Sequence, residues 1–201
     1  MDEGSKMRKH ILTSYKEFIK SIIAKIKELY DMSKRIGARP SILYAKDYFK
    51  NKKIICVEIG TLKGLNAKGI ISYLNVIMLY CIDPWIKYTQ SNKEVDNTEV
   101  YETAKKILDG FPAELIRKKS EQAINDIPDN IDFIYIDGNH DYEYIKKDIE
   151  MYYPKVKKGG IMAGHDFSID YLGVVKAVMD FVEKNDLKLY GGELDWWFLK
   201  K

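Results

Sequence analysis

Ile131-Asp-Phe-Ile-Tyr-Ile-Asp-Gly-Asn-His-Asp-Tyr142 changes character halfway along its length. It opens as a run of β-formers rich in Ile and Phe, and it stops abruptly at Asp137-Gly-Asn-His-Asp-Tyr142. Open α/β sheets present their chemistry in this way, because ligands bind beyond the carboxyl ends of buried strands. Downstream, Gly159-Gly-Ile-Met-Ala-Gly-His165-Asp166 repeats the pattern, a short apolar run ending in His-Asp. Two of the chain's three histidines therefore stand at strand ends, placed to face one pocket.

Working outward, the chain alternates strand and helix from residue 54. Strands are expected at Ile54–Ile59, Val76–Ile82, Ala113–Ile116, Ile131–Ile136, Gly160–Gly164, Leu187–Tyr190 and Glu193–Leu199. Helices are expected at Asn66–Leu74, Glu99–Leu108, Ser120–Asn125 (with Ser120 as its N-cap), Tyr142–Tyr153 and Gly173–Glu183. Pro84–Thr98 is polar and aperiodic, so it reads as a long loop. Gly191-Gly192 suggests a tight antiparallel hairpin. The sum is an α/β fold: a Rossmann-like, seven-stranded, mostly parallel sheet with helices on both faces and an antiparallel last strand. Ahead of it, residues 1–50 form a helical extension to the domain at 51–201. Within that extension Ile11, Tyr15, Phe18, Ile22, Ile26 and Leu29 share one helical face, which either packs inward or meets a second copy to give a homodimer. Tyr44, Tyr48 and Phe49 read as cover for the core.

Composition narrows the function. The chain has 201 residues, is 46% hydrophobic and 31% charged, and carries a formal net charge of +3. That balance suits a globular protein and gives no basic stripe for nucleic acid. Arg117-Lys118-Lys119 is too short to be one. The absence of an apolar run of about 18 residues argues against a membrane span. The polar N-terminus does not read as a signal peptide. Cys56 and Cys81 both fall in expected buried strands, where free thiols fit a reducing cytoplasm. Trp196-Trp197-Phe198 reads as core.

Two further motifs carry chemistry. Val57-Glu58-Ile59-Gly60-Thr61-Leu62-Lys63-Gly64 runs from a strand through a glycine turn into a helix, where backbone can approach a ligand closely. Its Gly-x-x-x-Gly spacing is neither the dinucleotide fingerprint nor a P-loop, which disfavours a nicotinamide dehydrogenase. In Tyr80-Cys81-Ile82-Asp83-Pro84-Trp85 a second strand ends on an acid roughly twenty residues past the first glycine, a place from which a carboxylate can take both hydroxyls of a ribose.

In order, Val-Glu-Ile-Gly-Thr-x-x-Gly, Ile-Asp-Pro-Trp, Ile-Asp-Gly-x-His-x-Tyr and Gly-Gly-x-x-x-Gly-His-Asp resemble class I S-adenosylmethionine-dependent methyltransferases. The nearest likeness is to small-molecule O-methyltransferases related to catechol O-methyltransferase, in the branch that includes antibiotic and sugar tailoring enzymes. The resemblance covers residues 54–199. It implies that Glu58, Gly60, Thr61 and Gly64 line the methionine and ribose part of the cofactor. Asp83 would take the ribose hydroxyls, with Pro84 and Trp85 near the adenine and Ser120 and Glu121 contacting it. Asp137, His165 and Asp166 fall where the family places its metal ligands, with Asp137 also favouring the positive sulfur of the cofactor. His140 stands where catechol-type enzymes carry a general-base lysine, and His165 where an acidic ligand is common. Either imidazole can therefore serve as catalytic base.

Such a site would move a methyl group from S-adenosylmethionine to a small-molecule hydroxyl. A divalent metal would lower the hydroxyl pKa, with oxygen ligands suiting magnesium and an imidazole shifting the choice toward manganese or iron. The alternatives are a metal-independent enzyme with a histidine base, and a catalytically silent cofactor-binding module acting through its N-terminal helix. Substrate specificity lies in loops without a transferable code.

Overall fold

The computed structural model describes residues 39–201 apart from Ser91, Asn92 and Thr98. The amphipathic stretch at 11–32 lies outside the described residues. Seven strands form the main sheet in the order β5-β2-β1-β6-β7-β9-β8. They are β1 (Ile54–Ile59), β2 (Val76–Ile82), β5 (Ala113–Ile116), β6 (Ile131–Ile136), β7 (Val156–Gly164), β8 (Tyr190–Gly192) and β9 (Asp195–Leu199). The pairings β5–β2, β2–β1, β1–β6 and β6–β7 are parallel, and β9 runs antiparallel to both β7 and β8.

The central strands are buried on both faces, and their side chains alternate between two cores. Val57, Ile59, Ile134, Ile136, Met162, Trp196 and Phe198 point to one core, which α5 (Tyr142–Tyr152) and α6 (Leu172–Lys184) complete with Ile145, Ile149, Val174, Val178 and Phe181. Cys56, Phe133, Tyr135, Ile161, Ala163 and Trp197 point to the other. There α1 (Pro40–Phe49), α2 (Leu65–Tyr73) and α3 (Tyr101–Leu108) supply Ile42, Ala45, Phe49, Ala67, Ile70 and Leu108. All six residues of β6 are buried, which fits a sequence that is apolar on both faces apart from Asp132. Both cysteines are free and buried, and burial raises their thiol pKa values, so neither is primed to react. Among the described residues no helix is long and apolar enough to cross a membrane.

Helix ends shift by one or two residues, β9 starts at Asp195 and not Glu193, and three larger differences stand out. Pro84–Thr98 is not a plain loop, because β3 (Lys87–Gln90) and β4 (Lys93–Asp96) pair antiparallel as a separate two-stranded sheet. Four-residue strands of mixed polarity leave no apolar run to read. β7 starts four residues early, at Val156, because the Gly159-Gly160 pair continues the strand through a register shift against β6 instead of opening it. The hairpin before β9 turns at Glu193-Leu194, with Glu193 at φ 52°, and its two glycines lie in β8 itself. β8 is accordingly Tyr190–Gly192 and not Leu187–Tyr190.

The order of strands fixes where a ligand can go. From β1 the chain moves outward through β2 and β5, then returns to β6 on the other side of β1. Loops leaving β1 and β6 thus diverge, opening a crevice at their carboxyl ends. At the far end of that row Gly164 closes β7, where a Cβ would stand 2.5 Å from both the Ile136 carbonyl oxygen and the Trp196 ring. Gly164→Ala should cost about 1–3 kcal/mol through overpacking, read as a lowered midpoint in urea unfolding.

Candidate active site

The crevice between β1 and β6 is held together by backbone contact. Gly60 has φ +89°, and a Cβ there would lie 2.0 Å from the Asp137 carbonyl oxygen. The Gly60 amide donates to Ile82, and the Asp137 amide donates to Ile59, each at 2.8 Å. Only glycine permits the two strand ends to touch in this way. Gly64, at φ +80°, meets Leu108 and so seats α2 on α3, away from the crevice.

Asp83 shapes the turn that follows Gly60. It is almost fully buried, and its two oxygens accept the backbone amides of Leu62 at 2.9 Å and Trp85 at 2.7 Å. The Trp85 indole donates back to the Leu62 carbonyl at 2.8 Å. Burial raises the Asp83 pKa, and the two amide bonds oppose it. Leu62 and Trp85 both adopt left-handed backbone, at φ 48° and 45°, which this mutual bonding sustains. Trp85 lies wholly beneath the surface against Tyr101, at 4.8 Å between ring centroids, while Pro84 and Ile86 form the wall. Glu58 sits behind the turn. One of its oxygens accepts the Asn66 amide at 2.9 Å, the other has no hydrogen bond, and burial pushes the carboxyl up to about 7.

A cavity of about 610 Å³ runs across this crevice. Gly60–Lys63, Asn66, Asp83 and Pro84 line one end of it, Lys119–Glu121 and Asp148 form another part, and Asp137–His140 with Arg39 close the rest. Asn97 brings the chain back to the cavity after the β3–β4 hairpin. The N-cap of α4 (Ser120–Ala123) is Lys119 and not Ser120. The Ser120 hydroxyl instead donates to Asp148 on α5 at 2.5 Å.

At the ends of β6 and β7 two carboxylates and two imidazoles meet. His140 Nε2 lies 2.7 Å from Asp166 Oδ2 and 3.8 Å from Asp137 Oδ1. His165 Nδ1 lies 3.1 Å from Asp166 Oδ1 and 3.9 Å from Asp137 Oδ1. Asp166 has φ 58°, and Tyr171 covers the His140 ring at 4.6 Å. Ligand atoms of Asp137, His140 and Asp166 all fall within 4.8 Å of one another, a spacing that a single cation could bridge. The sequence reading named Asp137, His165 and Asp166 as ligands; the three that converge here are Asp137, His140 and Asp166, with His165 beside them. Burial disfavours a charged His140, but hydrogen bonds and charge from Asp137 and Asp166 outweigh it and hold its pKa at about 9. Burial likewise disfavours the Asp166 carboxylate, and the two imidazoles reverse this, holding its pKa well below the usual carboxylate range.

Three residues of the site escaped the sequence reading. Arg39 reaches Asp137 Oδ2 at 3.3 Å and Asp195 Oδ1 at 3.7 Å, with Tyr135 beneath its guanidinium. Asp195, at the start of β9, is buried and accepts the Ser41 amide, the Ser41 hydroxyl and the Tyr135 hydroxyl at 3.1, 2.5 and 2.8 Å. Asp148 is the third; its signal was an acid on the apolar face of a helix, between Ile145 and Ile149.

Known proteins share this fold. A family model described as a methyltransferase domain matches residues 57–167, more than half of the chain. The chain belongs to that methyltransferase domain family. An uncharacterized protein, R132, of Acanthamoeba polyphaga mimivirus is 29% identical over 128 residues, which cover 61% of this chain and 55% of that protein, about half its length. Among solved structures, the O-methyltransferase NovP superposes with a TM-score of 0.59 at 14% identity, covering 80% of this chain and 79% of NovP. The O-methyltransferase from Bacillus cereus, solved in complex with SAH, gives 0.56 at 14% identity, covering 88% and 91%. These likenesses establish a class I methyltransferase fold, as the ordered motifs implied.

The raised His140 pKa has a consequence for stability. A group whose folded pKa lies above its unfolded value stabilises fully below the unfolded pKa, and the effect fades as pH rises through the folded one. Metal-free protein should therefore lose a component of stability between about pH 6.5 and 9 that His140→Gln lacks. The difference between the two melting-temperature curves across that window is the measurement, and parallel curves would refute the His140 assignment.

Proposed function

We propose that the protein transfers a methyl group from S-adenosylmethionine to a hydroxyl of a small molecule, with a divalent cation assisting. The observation that carries this reading is the convergence, at one switch point, of the Gly60 turn, the cavity and the Asp137–His140–Asp166 cluster.

The cavity suits the cofactor. Gly60 lets the two strand ends close together and lines the cavity with Thr61, Asp83 and Pro84, and Ser120 and Glu121, which the motif resemblance assigns to the adenine, line it too. Carboxylates near the cluster favour a positive sulfur by simple charge attraction. Binding in the methyl-donating orientation is then a matter of holding two reactants together, the main contribution such a site makes.

The donor set also suits a divalent cation. Two carboxylate oxygens and one imidazole nitrogen form a hard set with some preference for manganese or magnesium. When bound, the cation would lower the pKa of the substrate hydroxyl and orient it. The chain's own residues do the rest. Asp137 and Asp166 supply negative charge, and Arg39 balances Asp137 from the protein side. With a cation bound, the His140 imidazole would be engaged as a neutral ligand, which leaves His165, 3.1 Å from Asp166, to take the hydroxyl proton. Tyr171 packs on the His140 ring at 4.6 Å, and Ile169 and Leu172, on either side of it in sequence, stand exposed.

Calorimetric titration of S-adenosylhomocysteine into the full chain tests both halves, with magnesium or manganese and again with EDTA. Binding is expected in both. Metal addition should give heat that Asp137→Ala abolishes, and methyl transfer in a screen of hydroxyl substrates should collapse in EDTA. Absence of any S-adenosylhomocysteine binding would sink the cofactor reading, and full turnover in EDTA would sink the metal role.

A further inference from the structure

The opposite end of β6 holds a charged cluster that methyl transfer does not use. Asp132, the second residue of that strand, is buried. Its Oδ2 accepts the Ile55 amide at 3.0 Å and so ties β6 to β1. Its Oδ1 takes two amines at once: Lys52 at 3.2 Å, from the link between α1 and β1, and Lys157, from the start of β7. Both amines also stand over the Phe49 ring, at 6.0 and 5.9 Å from its centre. Neither Asp132 nor either lysine lines the cavity. Asp132 precedes Asp137 by the length of the strand, about 16 Å at the usual rise of extended chain.

The charges in this cluster do not balance. One carboxylate, already bonded to an amide, faces two cations whose nitrogens approach the same oxygen. Like charges held this close disfavour each other, and the less hydrated of the two gives up its proton more easily. Lys157 is that one, with 22% of its side chain exposed against 54% for Lys52. Burial, and then the Lys52 ammonium beside it, hold the Lys157 amine down at about 8. An ordinary lysine titrates at about 10.4 and is almost wholly protonated at neutral pH. Lysines desolvated beside a second cation are nucleophiles, because the neutral amine is the form that attacks an electrophile.

Independently of the methyl-transfer reading, we propose that Lys157 is a site of acyl modification, its amine accepting an acyl group from an acyl phosphate because Lys52 shares its counter-ion. The nitrogen lone pair attacks the acyl carbon and forms the C–N bond. The C–O bond to phosphate breaks, phosphate leaves with that electron pair, and the proton shed by the nitrogen passes to water. Charge in the cluster is then balanced, since Lys52 alone faces Asp132. The new amide still carries an N–H for the carboxylate, and the Ile55 bond that joins β1 to β6 is untouched.

Acetyl phosphate, added to the full chain at a series of pH values from about 6.5 to 9.5, tests the proposal, with acetylation at each lysine followed by peptide mass spectrometry. Lys184, whose side chain is 74% exposed, serves as the reference. Near neutral pH Lys157 should react about 10-fold faster than Lys184, and its rate should level off above about pH 8, where its amine is already neutral. In Lys52→Gln the carboxylate is left to Lys157 alone, which favours the protonated amine, and the advantage should disappear. Equal rates at Lys157 and Lys184 in the wild-type chain overturn the proposal without any variant. So does an advantage that persists in Lys52→Gln, for then the shared counter-ion is not its cause.

Discussion

The contact on which the site depends is the approach of Gly60 to the Asp137 backbone. Two parallel strands whose onward chains diverge must still be drawn together at their ends, or the crevice between them is too wide to grip anything. Hydrogen bonds from Gly60 to β2 and from Asp137 to β1 do the drawing, and the missing side chain allows it. From that point the Leu62–Asp83–Trp85 bonding follows on one side and the histidine–carboxylate cluster on the other.

Electrostatic balance is the second constraint. Asp137, Asp166 and Asp195 are joined through Arg39 and the two histidines, an arrangement that mutual repulsion alone would disfavour. His140 and His165 answer Asp166, and Arg39 lies between Asp137 and Asp195. Asp195 is satisfied further by Ser41 and Tyr135. Each carboxylate thus has a protein partner of its own, and any cation that joins Asp137 must come to terms with Arg39.

Much of this is legible in the sequence. The limits of β1, β2, β5 and β6 follow the sequence reading because each is a short run dominated by Ile, Val, Leu and aromatic residues with at most one acid, and three of them stop at Gly60, Asp83 and Asp137. The same runs place Asp83, Asp137 and Asp166 at strand ends, where their chemistry is. The polar β3–β4 hairpin was not legible, since no buried face marks it. Nor were Arg39 and Asp195: the first meets Asp137 across 98 residues and the second meets Ser41 across 154, and no local pattern encodes a partner at that distance. Choosing His140 over His165 as the third member of the cluster needed side-chain geometry, because spacing along the sequence treats the two imidazoles alike.

The tie between Asp195 and Ser41 also bears on the order in which the protein takes shape. The start of α1 precedes β9 by more than 150 residues, and contacts of such long sequence separation form late because of the loop they must close. Until β9 docks, Ser41 lacks its acceptor, Tyr135 lacks a partner for its hydroxyl, and Arg39 has Asp137 alone to hold it. A nascent chain can hence assemble the cofactor end of the sheet, from β1 to β6, before the reacting end is in register. Strand β9 acts as the latch that turns a folded sheet into a finished site.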